Sequence, residues 1–128
     1  MKSHSSFVKH NSQLFELIHN GGGKNAYAVK NGKPVSPSVY SSVWAGHANH
    51  VHIAAGPKTV VRLGKLAQQM GLKVGENPHF GGVTPGAHVA GSYHYKGEAI
   101  DVSAPLTPAG RKLMNRYSAT VEKLYGLR

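Results

Sequence analysis

The chain has 128 residues, fifteen Lys and Arg, five Asp and Glu, and nine His, giving a formal charge of +10 and a pI of about 10.0. That length holds one small domain with one modest core, and the absence of cysteine excludes disulfide frameworks, Cys-zinc knuckles and thiol nucleophiles. The longest apolar stretches, such as Val51 to Ala55, are too short to span a membrane, and Met1 to His10 carries no apolar run of the kind a secretory signal needs.

In chain order, residues 1–11 are polar and are expected to form a flexible N-terminal segment ahead of a single domain over 12–128. Leu14, Phe15, Leu17 and Ile18 make a short apolar run stopped by Gly21-Gly22-Gly23, which predicts a buried strand. Tyr27 to Lys30, Asn31-Gly32 and Lys33 to Val35 predict a hairpin with a type I′ turn. Val51-His52-Ile53-Ala54 is the best strand of the first half, and His50 and His52 should share a face because strand side chains alternate. After Gly56-Pro57, Val60, Val61, Leu63, Leu66, Ala67 and Met70 form the stripe of a helix that Gly71 stops.

Residues 71–91 hold six of the sixteen glycines and two prolines, which predicts a long functional loop with little regular structure. Tyr93 to Val102 reads as strand, turn and strand around Lys96-Gly97. Pro108 opens a second helix whose face is Leu113, Met114, Tyr117, Val121 and Leu124, ending at Gly126. The fold class that follows is α+β, a small antiparallel sheet flanked by two or three helices.

The charge excess suits an acidic partner. Yet the acid side is the stranger feature. Only Glu16, Glu76, Glu98, Asp101 and Glu122 are acidic, so histidines outnumber carboxylates and Asp101 is the sole aspartate. Two segments gather the histidines and that aspartate: His47-Ala48-Asn49-His50-Val51-His52, and Ser92-Tyr93-His94 through Ala99-Ile100-Asp101. Zinc sites use neutral imidazole and carboxylate, and a catalytic site needs three protein ligands plus an open position. The turn at Gly97 can bring His94 and Asp101 together, and a carboxylate in the apolar strand Ala99 to Val102 is costly to bury unless it is paired or metal-bound. The first segment could supply a third ligand.

Ser92-x-His94-x-x-Gly97-x-Ala99-x-Asp101 resembles, at every defined position, the S-x-H-x-x-G-x-A-x-D signature of zinc D-Ala-D-Ala carboxypeptidases and related phage and bacterial peptidoglycan endopeptidases. His47-Ala48-Asn49-His50-Val51-His52 is similar to the H-x-D-H-V-H segment that supplies the last ligand in some members. The resemblance implies a Hedgehog-like fold, a zinc ion held by His52, His94 and Asp101, and His47 where a histidine stabilises the transition state. It also implies the peptide stem of peptidoglycan as substrate, and a phage virion, tail or released lytic protein as the setting. Neither nucleic acid nor membrane insertion is expected, since the basic residues carry no recognisable nucleic-acid motif.

Three departures qualify it. The two segments stand in reversed order, which predicts a circular permutant whose N-terminal strand (Gln13 to Ile18) takes the place of one following the last helix. The rival account is a fragment spanning two domains, two chains exchanging halves as a swapped dimer. Asn49 stands where an acid is expected, and an amide cannot act as the base. His47 and His50 are candidates to replace it, and the alternative is an inactive zinc domain that binds wall or a protein partner. The stretch Val74 to Gly81 also lacks the family's arginine. Lys73 and His79 are the nearest substitutes, though neither offers a bidentate fork. His88, six before His94, is a candidate for a further polar group near the metal, whereas His4, His10 and His19 read as surface residues. Tyr40, Trp44, Tyr93 and Tyr95 either line a cleft or pack the sheet.

Overall fold

A computed structural model describes residues 14–20, 26–40, 50–88 and 91–126. Six strands form one sheet: β1 (Glu16–Asn20), β2 (Ala26–Lys30), β3 (Lys33–Pro34), β4 (Val51–Ala54), β5 (Lys73–Gly75) and β6 (Ala99–Ser103). Their order is β3-β2-β1-β4-β6-β5, and all neighbours are antiparallel. Two helices complete the described fold, α1 (Pro57–Gln69) and α2 (Pro108–Leu124). The α+β class and the antiparallel sheet are thus as the sequence predicts. The segment 1–11 lies outside the described residues.

Local chemistry explains the boundaries. Asn31 (φ 53°) and Gly32 (φ 79°) both take positive φ, as a type I′ turn requires, so the hairpin forms where expected. Pro57 opens α1, and Gly71 in a left-handed conformation (φ 91°) ends its last turn, with the Leu72 amide donating to the Ala67 carbonyl. Thr107 caps α2 by accepting a hydrogen bond from the Gly110 amide, and Pro108 follows it.

The register divides side chains between two faces. Leu17, Val29, Val51, Ile53, Ile100 and Val102 point to one side, where α1 covers them with Val60, Leu63 and Ala67, and α2 with Met114, Tyr117 and Val121. Each such buried aliphatic side chain contributes roughly 1.5–3 kcal/mol. The Tyr117 hydroxyl donates to the Leu63 carbonyl at 2.7 Å and joins the helices near their middles. On the other face, Ile18, Ala28 and Tyr40 make a small second cluster, and beside it lie His52 and Asp101.

Two expectations need correction. The stretch 71–91 is not all loop: Lys73–Gly75 pairs with β6, and Pro78–Phe80 forms a 3-10 turn. Its ring seats against Gly64 of α1, where a Cβ would collide with it. Nor does Tyr93 begin a strand. Residues 92–97 are successive turns, with backbone bonds from Tyr95 to Ser92, Lys96 to Tyr93 and Gly97 to His94.

Candidate metal centre

The site is built on the cross-strand pair His52 and Asp101, direct neighbours in the β4–β6 register and both on the face away from the helices. His52 is 7% exposed. His94 arrives from the turn before β6. There the Ser92 hydroxyl accepts from the His94 amide, and Gly97 turns the chain with φ 73°. Ala99, fully buried, sits two residues before Asp101 on the same side of β6. The spacing of Ser92, His94, Gly97, Ala99 and Asp101 therefore has a local cause: a cap, a donor, a left-handed turn, a small packed residue and a carboxylate.

Three imidazoles converge on one oxygen. Asp101 Oδ1 lies 3.4 Å from His52 Nδ1, 3.5 Å from His94 Nε2 and 3.7 Å from His50 Nε2. One ligand atom each from His52, His94 and Asp101 lies within 4.8 Å of the others, so this group could hold a metal ion. His50, expected on the same face, does reach Asp101. His47 and Asn49 lie outside the described residues, as does Trp44.

A metal-binding imidazole presents one nitrogen to the ion and donates from the other. Both histidines are arranged so. His52 Nε2 donates to Glu16 Oε1 at 2.9 Å, leaving Nδ1 toward Asp101. His94 Nδ1 donates to the Glu76 carbonyl at 2.7 Å, leaving Nε2 toward Asp101. The two rings therefore use opposite nitrogens.

Glu76 does more than accept that bond. Its backbone is left-handed (φ 57°), a conformation that costs a non-glycine residue energy. Its carboxylate accepts from the Thr84 hydroxyl at 2.7 Å, the Thr84 amide at 3.2 Å and His88 Nε2 at 2.9 Å. His88 in turn stacks on His94, ring centroids 3.9 Å apart. The Tyr95 hydroxyl donates to the His88 carbonyl and accepts from its amide. Buried Asn77 fixes this segment to β6 by donating to the Ala99 carbonyl. His88 is thus beside the site, as a ring packed on a donor.

The electrostatics follow from this crowding. Burial works to lower the His52 pKa, but its hydrogen bonds to Asp101 and Glu16 outweigh that and raise it to about 9. Burial pushes His94 below the ordinary imidazole value, against the pull of Asp101. For Asp101, burial would raise the carboxyl, but the His52 hydrogen bond and the nearby histidines hold it below the usual carboxylate range. Without metal, His52 carries a proton at neutral pH. A metal ion must displace it.

Other residues fall elsewhere. His19 is not on the surface: it is 4% exposed on the helix-covered face, donating to Asn115 Oδ1 of α2 at 2.8 Å. Lys73 and His79 are exposed, and His79 packs edge-on against Phe80. Tyr40 is buried and donates to the Val29 carbonyl, and Tyr93 packs on Phe15. Two partners escape sequence reasoning. Glu16 had one available signal, being the sole acid in an apolar run. The Glu76 carbonyl had none, because a backbone oxygen leaves no mark in a sequence. No family model, curated protein or solved structure matches the chain.

Proposed function

We propose that this chain is a zinc-dependent peptidoglycan peptidase-like domain that hydrolyses an amide bond in the wall's peptide stem. The observation that carries the reading is the convergence of His52 Nδ1 and His94 Nε2 on one Asp101 oxygen, at 3.4 and 3.5 Å. Ligand atoms around a tetrahedral zinc ion stand roughly 3.3 Å apart, given bonds of about 2.0–2.1 Å. Two imidazoles and one carboxylate also suit zinc, and they leave a position for a non-protein ligand. His52, His94 and Asp101 would hold the ion. When bound, zinc polarises a carbonyl and activates water.

The chain's own residues set the rest. Glu16 and the Glu76 carbonyl orient the two imidazoles. In this reading His50, half-buried beside Asp101, takes a proton and returns it at its imidazole. His47 belongs to the same segment and fills the stabilising role that the family resemblance implies. That resemblance also suggests a permuted Hedgehog-like fold from a phage virion or lytic protein. The hydrogen bond between His19 of β1 and Asn115 of α2 supports the permutation, because it packs the first strand against the last helix. No described helix is long and apolar enough to cross a membrane.

A second reading, an inactive zinc domain that binds wall or a protein partner, has its own observation. Asn49 replaces the expected acid, and nearby Glu16 and Glu76 are already engaged by His52, Thr84 and His88. Metal analysis of purified protein, followed by stem-peptide release from purified walls, separates the readings. Stoichiometric zinc with release that His94→Ala abolishes supports the enzyme. Zinc without release supports the inactive domain, and Asn49→Asp should then restore activity. Protein purified without zinc, and unable to take it up, overturns both.

A further inference from the structure

The two faces of the sheet differ in charge as well as in packing. All five carboxylates lie among the described residues. Glu16, Glu76 and Asp101 surround the histidine cluster, and Glu98 leads into β6. Glu122 is fully buried, accepting from the Ser118 hydroxyl at 2.7 Å. The helices therefore expose no carboxylate. They do expose Lys58, Arg62 and Lys65 on α1, and Arg111, Lys112 and Arg116 on α2.

Spacings of four and three residues place the α1 cations in one stripe along the helix, and Lys112 and Arg116 repeat that spacing on α2. The Tyr117–Leu63 hydrogen bond joins the two helices that carry these cations. The exposed cations of both helices thus lie on the side of the sheet away from His52 and Asp101.

We propose that this helix layer is a docking surface for a base-free phosphodiester polymer, a poly(glycerol phosphate)-type chain. Charge complementarity selects a polyanion. Tyr117 of α2 is buried, as is Tyr125 just beyond it, so the helices offer no exposed ring on which the bases of a single strand could stack. The apolar sides of both helices are already packed in the core, so neither can lie in a bilayer. The layer tethers the domain to the polymer through the side of the sheet opposite the metal centre.

The test is binding of the full chain to purified poly(glycerol phosphate), with duplex DNA and anionic phosphatidylglycerol vesicles as parallel arms. The triple variant Lys58→Gln/Arg62→Gln/Lys65→Gln should weaken polymer binding roughly 10–100-fold at about 0.1 M salt and flatten the salt slope by about two. The α2 triple Arg111→Gln/Lys112→Gln/Arg116→Gln should do the same. Removing equal charge from the strands, with Lys30→Gln/Lys33→Gln/Lys73→Gln, should change binding less than about threefold. His94→Ala should leave it unchanged. Equal losses in helix and strand triples would reduce the effect to net charge and overturn the proposal. So would absence of polymer binding, a loss of it in His94→Ala, or equally tight binding to DNA or vesicles.

Discussion

Val51 and Ile53 leave β4 on one side and His52 on the other, and the two sides lead to different chemistry. The helix-covered side is apolar and close-packed, and each residue there contributes by excluding water. The other side holds imidazoles and carboxylates whose value lies in direction rather than volume. Neighbouring residues of one four-residue strand thus serve stability and ligation separately. Mutations should divide the same way.

The largest effect should come from the packed side. Ile53→Ala, next to His52 but facing the helices, should lower unfolding stability by about 2–5 kcal/mol in chemical denaturation. The folded fraction should still bind zinc with unchanged stoichiometry, and loss of zinc from folded protein would break the comparison. Asp101→Ala should do the opposite, lowering zinc affinity by more than about 100-fold in chelator competition, beyond what orienting partners usually cost. Smaller losses are expected from those partners. Glu16→Gln and Glu76→Ala should each weaken zinc binding about 10–100-fold. Glu76→Gln, which keeps an oxygen for Thr84 and His88, should recover part of the loss.

The smallest effect is that of a single pH unit. Because the folded-state pKa of His52 is raised to about 9, zinc must displace a proton below that value. Affinity should climb up to tenfold per pH unit, about 1.4 kcal/mol, between the ordinary imidazole value near 6.5 and about 9. In the metal-free protein the sign reverses. A raised histidine pKa stabilises the fold fully below about 6.5, and that contribution is lost as pH rises through about 9. Thermal melts in chelator should therefore fall over this window, and His52→Asn should flatten the change.

Much of this division was legible in the sequence. The alternation in Val51 to Ala54, the Asn31-Gly32 turn and the apolar stripes of both helices are local patterns, and local patterns survive into the fold. His94 and Asp101 were legible because a lone aspartate in an apolar strand demands a partner, whereas the choice of His52 within its segment came from the family resemblance. Strand β5 was hidden because three residues ending in glycine are too short to display a period. The spacing of Tyr93 and Tyr95 imitates a strand, but the Ser92 cap and left-handed Gly97 favour turns. Glu16 and His19 depend on strand order and helix packing, which are long-range facts. Glu16 meets His52 diagonally across β1 and β4, and His19 meets Asn115 across the core.

The direct pairing of His52 with Asp101 has one more consequence, for folding fidelity. Strand side chains repeat every two residues, so a slip of one residue between β4 and β6 would exchange their faces. Asp101 would then stand among Val51, Ile53 and the helices, a carboxylate in an apolar interior without its imidazoles. Such a misaligned sheet excludes itself through the cost of the stranded charge. The same aspartate that gathers the histidines also acts as the proofreader of strand register.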